Sequence, residues 1–437
     1  MLAVAAWSLF ASQSFAAEPV TYSKHVAKIL WTHCAACHRA GAVGPFSLLT
    51  YDDAAKRAEH LVEVTASRRM PPWHADPDYG EFLDERRLSD DELATLRAWA
   101  EAGAPAGDPA DLPPEPEFPD GWQLGEPDLV IRMAEPFQVA ADGADVYRCF
   151  VLPILVPENK MVAAVEFKPG NPRAVHHALF FLDKNGLARK LDAEDELQGY
   201  ASFGGIRLIP SGMLGGWAPG GTPRWLPEST GRFLRQGSDL IMQVHYHPDG
   251  KPETDQSEVA IHFVKSPATR LVADLPLMNR NISIPPGEKQ HKVSLEFVMP
   301  VEIEALGITP HMHLVGRQMR ATAYFPDGTQ RPLIWVPDWD FNWQIQYLFR
   351  EPITLTKGTR IKVEAQYDNS TDNPRNPNHP PRWVGNGEQT SDEMCLCSIT
   401  FAIEDRKAYG RLMDDVVRMH LPFLQAQELF RDGGGGK

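Results

Sequence analysis

Five short stretches carry side chains that can hold a metal or a cofactor: CAACH (34–38), AVHHALFF (174–181), MQVHYHP (242–248), TPHMHLVG (309–316) and SDEMCLCSIT (391–400). In CAACH, Cys34 and Cys37 are spaced to take the two vinyl groups of a c-type haem, and His38 follows as an axial ligand. A zinc site or a dithiol redox pair is the competing use of such a motif. A second axial ligand must come from later in the chain. RRMPPWH (68–74) offers Met70, a soft thioether held ahead of two prolines, which raises a haem's potential. His60 and His74 are its rivals, and simple core packing is the plain alternative for the methionine.

The other four stretches are read by face. Side chains alternate along a strand, so His311 and His313 share one side, close enough to grip one ion. Thr309 falls with them, while Leu306, Ile308, Met312 and Leu314 face the other way. In MQVHYHP, Gln243, His245 and His247 oppose the apolar Leu240, Met242, Val244 and Tyr246. In SDEMCLCSIT, Cys395, Cys397, Ile399, Phe401 and Ile403 point to the core, which leaves Met394 with Ser398 and Thr400 on the polar face. A methionine there is not packing a core. His176 and His177 are adjacent and would diverge on a regular strand, so both bind one ion only where the strand bends or bulges.

A lone histidine in a strand is more often a hydrogen-bonded filler than a ligand. Four clusters in one chain, three with the faces correct, reverse that weighting. Imidazoles joined by a thioether favour copper over zinc, because Cu(I) accepts thioether sulfur readily. A blue-copper site needs a His and a Met shortly after its Cys, and Cys395 has no such followers. The HCH motif of multicopper oxidases is absent from the sequence.

Several elements must position these groups. Residues 18–104 form a small helical domain around CAACH. Its clearest helix is SDDELATLRAWAEAGAP, capped by Ser89, striped by Leu93, Leu96 and Trp99, and ended by Gly103 and Pro105. A Pro-, Gly- and acid-rich linker covers 105–127. From Asp128 onward, short alternating runs between Gly, Pro and Asn turns predict antiparallel sandwiches rather than βαβ units. The seam SPATRLVADLPLMNRNISIPPG (266–287) separates a first sandwich, 128–272, from a second, 273–430, which closes on a helix. Residues 431–437 read as a disordered tail.

The first 17 residues, an apolar run followed by small residues, read as a signal peptide without the usual basic start. The run is too short to span a bilayer, which takes about 20 apolar residues, so an exported, soluble mature protein is expected. The formal charge of −15 argues against nucleic acid or an anionic membrane as partner, and 43% apolar residues suffice for real cores. Beyond Cys34 and Cys37, the chain has Cys149, Cys395 and Cys397, an odd remainder for an oxidising compartment.

The order His-His, QVHYH, HMH and EMC, with the run VYRCFVLP…VAAVEFKPGNPRAVHHALFF, resembles the copper type II, ascorbate-dependent monooxygenases, the family of peptidylglycine α-hydroxylating monooxygenase and dopamine β-monooxygenase. The resemblance covers about 128–405. It implies two jelly-roll sandwiches facing across an open cleft; with the CAACH domain read separately as a small all-α cytochrome c domain before them, the chain is expected to be mainly β. It further implies two coppers per chain. One is an electron-transfer site held by His176, His177 and His245, and the other an oxygen-binding, catalytic site held by His311, His313 and Met394. Gln243 matches the family's glutamine before the third histidine of the first site, whereas His247 has no ligand role there.

The chain also departs from the peptide hydroxylase. Thr309 stands where that enzyme has an arginine for its substrate's carboxylate, and Leu396 and Ser398 where it has an asparagine and a tyrosine. A glycine-extended peptide is therefore not the expected substrate. Cys149 and Cys395 stand at disulfide positions whose usual partners are missing. The expectation is a periplasmic or secreted bacterial monooxygenase that hydroxylates a small organic C–H substrate with O₂. Its electrons would come through haem c from a periplasmic donor or an ascorbate-like reductant. The alternatives are a copper-handling protein fused to a cytochrome, without catalysis, and a haem-linked dehydrogenase.

Overall fold

The computed structural model describes residues 18–119, 121–202, 205–248 and 250–433, with side chains described as far as residue 419. The expected signal peptide, 1–17, and the end of the expected tail, 434–437, lie outside the described residues. The chain divides into two compact units, one from 1–72 and 86–117, the other from 73–85 and 118–437.

The first unit is helical. A π-helical turn, Tyr22–Val26, runs into α1 (Ala27–His33), followed by α2 (Tyr51–Ala55), α3 (Ala58–Ala66) and α4 (Asp90–Glu101). The reasons for α4 are local. Ser89 and Glu92 form a reciprocal capping box, and Asp90, Asp91 and Glu92 put negative charge at the positive end of the helix. Gly103, at φ +81°, then turns the chain out of the helix. Leu96 and Trp99 bury against Tyr22, Val26, Leu30, Leu61 and Leu88. Each leucine-sized side chain buried this way stabilises the unit by about 1.5–3 kcal/mol.

The second unit is mainly β, built from antiparallel sheets without a closed barrel. Its first strands are β1 (Leu129–Arg132), β2 (Phe137–Val139), β3 (Val146–Pro153), β4 (Lys160–Lys168) and β5 (Val175–Asp183). A short helix, α5 (Leu187–Ala193), precedes β6 (Tyr200–Ala201), β7 (Gly212–Trp217), β8 (Thr230–Leu234) and β9 (Asp239–Tyr246). After β10 (Glu253–Asp255) and β11 (Glu258–Phe263), the second half opens with β12 (Arg270–Asn279), β13 (Ser283–Ile284) and β14 (His291–Val298). It continues through β15 (Ile303–His311), β16 (Gly316–Tyr324), β17 (Gln330–Val336) and β18 (Tyr347–Leu355). The last elements are β19 (Arg360–Tyr367), β20 (Val384–Gly385), β21 (Cys395–Ile403) and α6 (Arg406–Gly433).

These strands make two sandwiches that share a sheet. Eight strands run in the order β1-β11-β4-β8-β12-β21-β15-β18. The five-stranded sheet β6-β3-β9-β5-β7 covers the first half, and the four-stranded sheet β14-β19-β16-β17 covers the second. The halves meet at β8 and β12, a parallel pairing of only Thr230 with Arg270 and Gly231 with Leu271. A nearly buried ion pair reinforces the junction: Arg232 on β8 holds both oxygens of Asp274 on β12, and the Thr400 hydroxyl donates to the same carboxylate at 2.6 Å. The 73–85 segment threads into the second sandwich, where Trp73, Ala75 and Phe82 join the core and Phe82 bridges to Phe349. No helix among the described residues is long and apolar enough to cross a membrane.

Candidate metal centres

β3, β5 and β9 lie side by side and carry the first cluster. The β5–β9 register shifts between Val175 and His177, so the adjacent histidines do not diverge as they would on a regular strand. Both turn toward His245. The Nδ1 atoms of His176, His177 and His245 lie 3.2, 3.2 and 3.3 Å apart pairwise. Imidazole nitrogens about 2.0–2.1 Å from one tetrahedral first-row ion sit roughly 3.3 Å from one another. The cluster therefore has the dimensions of a three-nitrogen metal shell. Burial, with the neighbouring rings, holds His176 down to about 3 and His177 well below its ordinary range, so the nitrogens are neutral and basic toward a metal.

The surroundings fix these rings. Tyr147 stacks on His245 at 4.1 Å between centroids and 12° between planes. Asp145 sits behind, 3.2 Å from His245 Nε2 and 2.7 Å from His247 Nδ1. The two imidazoles beside it hold its carboxyl well below the usual range, against the effect of its own burial. A carboxylate behind a ligating histidine orients the ring and raises its basicity. His247 itself is exposed, in a supporting position. Gln243 donates to the Ser202 hydroxyl at 2.6 Å. The sequence pattern gives β9 one polar face, but every residue of β9 is buried, because Cys149, Ala188, Tyr200, Ile206 and Ile241 pack a second small core on that side.

The second cluster starts at the end of β15. His311 and His313 have ring centroids 5.1 Å apart and planes at 87°. His311 Nδ1 lies 2.5 Å from Gln344 Oε1, and the Gln344 amide donates to the Phe341 carbonyl at 2.9 Å. A carbonyl accepts only from the amide's N–H₂ end, so its oxygen must face His311, and Nδ1 of His311 must carry the proton. His313 Nδ1 in turn donates to the Asp392 carbonyl at 3.2 Å. Both rings thus leave Nε2 with its lone pair, the reverse of the first cluster. Burial keeps both neutral, His311 down to about 4 and His313 to about 3. His311 is the register partner of Leu396, so Met394 and Ser398 share its face of the sheet.

Glu393 ties this cluster together and was not singled out by the sequence. One carboxylate oxygen accepts from the Val315 and Gly316 N–H groups at 2.9 and 3.1 Å, the other from His313 and Met394 at 2.9 and 3.1 Å. Burial raises it to about 8 despite those four donors. Gly316 is required by close approach, since a Cβ there would lie 2.8 Å from Met312 Cβ and 3.0 Å from the Trp339 ring. The Trp339 indole donates to the His313 carbonyl at 3.1 Å. The resemblance implies an open cleft between the sandwiches, yet the ring of Phe341 stands between the clusters. It stacks on His176 at 4.9 Å and 15° and meets His313 edge-on at 5.8 Å.

In the helical unit, Cys34 and Cys37 are half-buried free thiols. His38 Nδ1 donates to the Phe46 carbonyl at 3.2 Å, which leaves Nε2 as the available ligand. Gly44 closes the loop tightly over them; a Cβ would lie 2.6 Å from the Cys37 carbonyl oxygen and 2.9 Å from His38 Nδ1. Cys34, Cys37 and His38 Nε2 are the groups a haem or a metal would use here. Met70 is half-buried just past α3, its N–H bonded to the Val64 carbonyl. His60 is exposed and pairs with Glu63 on α3. His74 belongs to the segment that threads into the second sandwich, with Asp340, Asp338 and Arg375 as its charged neighbours. Cys149, Cys395 and Cys397 are buried free thiols.

Fold and site together describe a β-sandwich protein with two histidine clusters of opposite ring polarity. The chain is similar to DBH-like monooxygenase protein 1 of Homo sapiens, 23% identical over 305 residues, which is 64% of this chain and 48% of that protein. It is likewise similar to the Gallus gallus protein of the same name, 24% identical over 236 residues, 49% of this chain and 37% of the other. The chain thus spans about half the length, or less, of the curated relatives it matches. No family model matches. Among solved structures, the major capsid protein P2 of bacteriophage PM2 is 9% identical with a TM-score of 0.24, covering 60% of this chain and 99% of that one. Broad bean stain virus gives 9% and 0.27, covering 65% and 93%. At such scores neither bears on fold or function.

Proposed function

We propose that this chain is a copper-dependent monooxygenase with its own haem c donor, converting a C–H bond of a small organic substrate, O₂, two electrons and two protons into a C–OH group and water. The observation that carries the reading is the contrast between the clusters. His176, His177 and His245 turn three Nδ1 atoms inward with a carboxylate behind them, a closed three-nitrogen shell suited to electron transfer. His311 and His313 present Nε2, and the alternation through Leu396, the register partner of His311, would bring the Met394 thioether to the same side, a soft and incomplete shell. Copper held there would supply one-electron redox chemistry toward O₂. The similarity to DBH-like monooxygenases supports the same reading.

The roles of the chain's own groups follow. Asp145 and Tyr147 fix the His245 ring, and Gln344 and the Asp392 carbonyl hold the protons of His311 and His313 on Nδ1. Glu393 holds Met394 and the His313–Gly316 backbone in one geometry. Leu396, Ser398 and Thr309, on the face shared with His311, offer a neutral surface for the substrate. Cys34, Cys37, His38 and Met70 would hold haem c, which would supply a one-electron carrier tethered to the enzyme. An exported, periplasmic protein reloaded by a soluble donor or an ascorbate-like reductant fits this role.

The test is a substrate screen under ¹⁸O₂ with copper counted per chain. Two coppers are expected, with label in the product. His245→Ala lowers the count toward one, and Met394→Ile eliminates turnover. Copper binding without labelled product from any C–H substrate would instead favour a copper-handling protein. Product oxygen drawn from water would favour a dehydrogenase.

A further inference from the structure

The two clusters share one loop, residues 338–344, and it touches both. Phe341 stacks on His176 and meets His313 edge-on. Gln344 accepts from His311 Nδ1–H and donates to the Phe341 carbonyl. The Trp339 indole donates to the His313 carbonyl. Arg375 anchors the loop from outside, donating to the Trp339 carbonyl and pairing with Asp338 at 3.1 Å. His176 Nε2 is buried without a hydrogen-bond partner, so its ring is positioned by the cluster on one side and by the Phe341 stack on the other.

We propose that Phe341 couples the two metal centres, so that loading one raises the affinity of the other. The inference rests on the two-centre reading above. A metal at the first cluster fixes the His176 ring and with it the stacked Phe341 ring. Phe341 then holds its T-shaped contact with His313 in one place, and the Gln344 brace carries the same order to His311. Ordering done once by the first metal need not be repeated for the second, which is positive cooperativity through shared order. A factor of about five, at the low end of measured couplings, is expected for a single ring contact. Reciprocity requires the same factor from either end.

The experiment is an anaerobic competition titration of the metal-free full chain with Cu(I) against a chromophoric chelator. His177→Ala breaks the first cluster at a ring that does not touch Phe341, and it should lower second-site affinity about fivefold. Met394→Ile should lower first-site affinity by the same factor. In Phe341→Leu, or in Phe341→Met, whose flexible side chain can fill the gap should leucine fold poorly, both effects should vanish. Equal effects of His177→Ala with and without the Phe341 ring would overturn the proposal, as would no effect in the native background or unequal factors from the two ends. Failure of the underlying reading looks different: the native chain would bind fewer than two Cu(I), and the proposal would fall with it.

Discussion

Gln344→Leu isolates the tautomer lock on His311. In the native protein the Gln344 side chain has a donor end fixed on the Phe341 carbonyl at 2.9 Å and an acceptor end 2.5 Å from His311 Nδ1. Leucine keeps the bulk and removes both. The His311 Nδ1–H loses its acceptor in a site that already pushes the ring down to about 4, and a donor stranded in this way costs about 1–3 kcal/mol. The ring can escape by moving its proton to Nε2, the nitrogen the metal needs. Second-site Cu(I) affinity should therefore fall about 10–100-fold, the range found when a ligand's supporting hydrogen bond is removed and equivalent to roughly 1.4–2.7 kcal/mol. The first cluster should lose no more than the about fivefold coupling. Gln344→Glu separates the two bonds, since a carboxylate still accepts from Nδ1–H but cannot donate to the Phe341 carbonyl. It should keep second-site affinity and weaken the coupling. A second-site affinity within about twofold of native in Gln344→Leu, or a first-site loss as large as the second-site loss, would refute the tautomer lock.

The sandwich junction and the first sandwich offer two tests of stability. Arg232→Met strands Asp274 with the Thr400 hydroxyl as its remaining partner and should cost about 3–5 kcal/mol in urea unfolding, whereas Arg232→Met with Asp274→Leu should recover most of it; equal losses in both would show that the pair does not clamp β8 to β12. Asp195 is held down to about 2, chiefly by the Arg148 guanidinium, so its contribution is complete above its unfolded value near 3.8 and is lost as pH falls toward 2. Asp195→Asn should therefore destabilise by about 1.5–3 kcal/mol at neutral pH, and the gap to the native protein should close below pH about 4. A gap that persists unchanged at the acid end would refute the pairing.

The candidate ligands stood out in the sequence because their patterns are local. CAACH is a fixed spacing, and strand alternation puts His311 and His313 on one face with Met394 on the polar side of its strand. Adjacent His176 and His177 demanded a bulge, and the register shift after Val175 supplies it. The helix after Ser89 was legible from its cap and stripe. What the sequence hid is the support. Asp145 lies a hundred residues before His245, and Phe341 and Gln344 lie in a loop with no periodicity, so no local pattern ties them to the rings they touch. Glu393 did have a signal, a carboxylate directly before the candidate sulfur ligand, but three of its four backbone donors, at His313, Val315 and Gly316, come from a distant turn. The shared sheet was hidden for a similar reason, because two residue pairs between β8 and β12 leave no mark in either strand's pattern. The division has a physical basis. A ligand's residue type is dictated by the metal and its face by the strand it rides on, and both are local. Which ring nitrogen faces the metal is decided by a hydrogen bond from elsewhere in the fold. Here such bonds, to Gln344 and the Asp392 carbonyl, leave Nε2 of His311 and His313 with its lone pair, whereas the Nδ1 atoms of His176, His177 and His245 converge beside the β5 register shift, so two clusters of one residue type present opposite nitrogens.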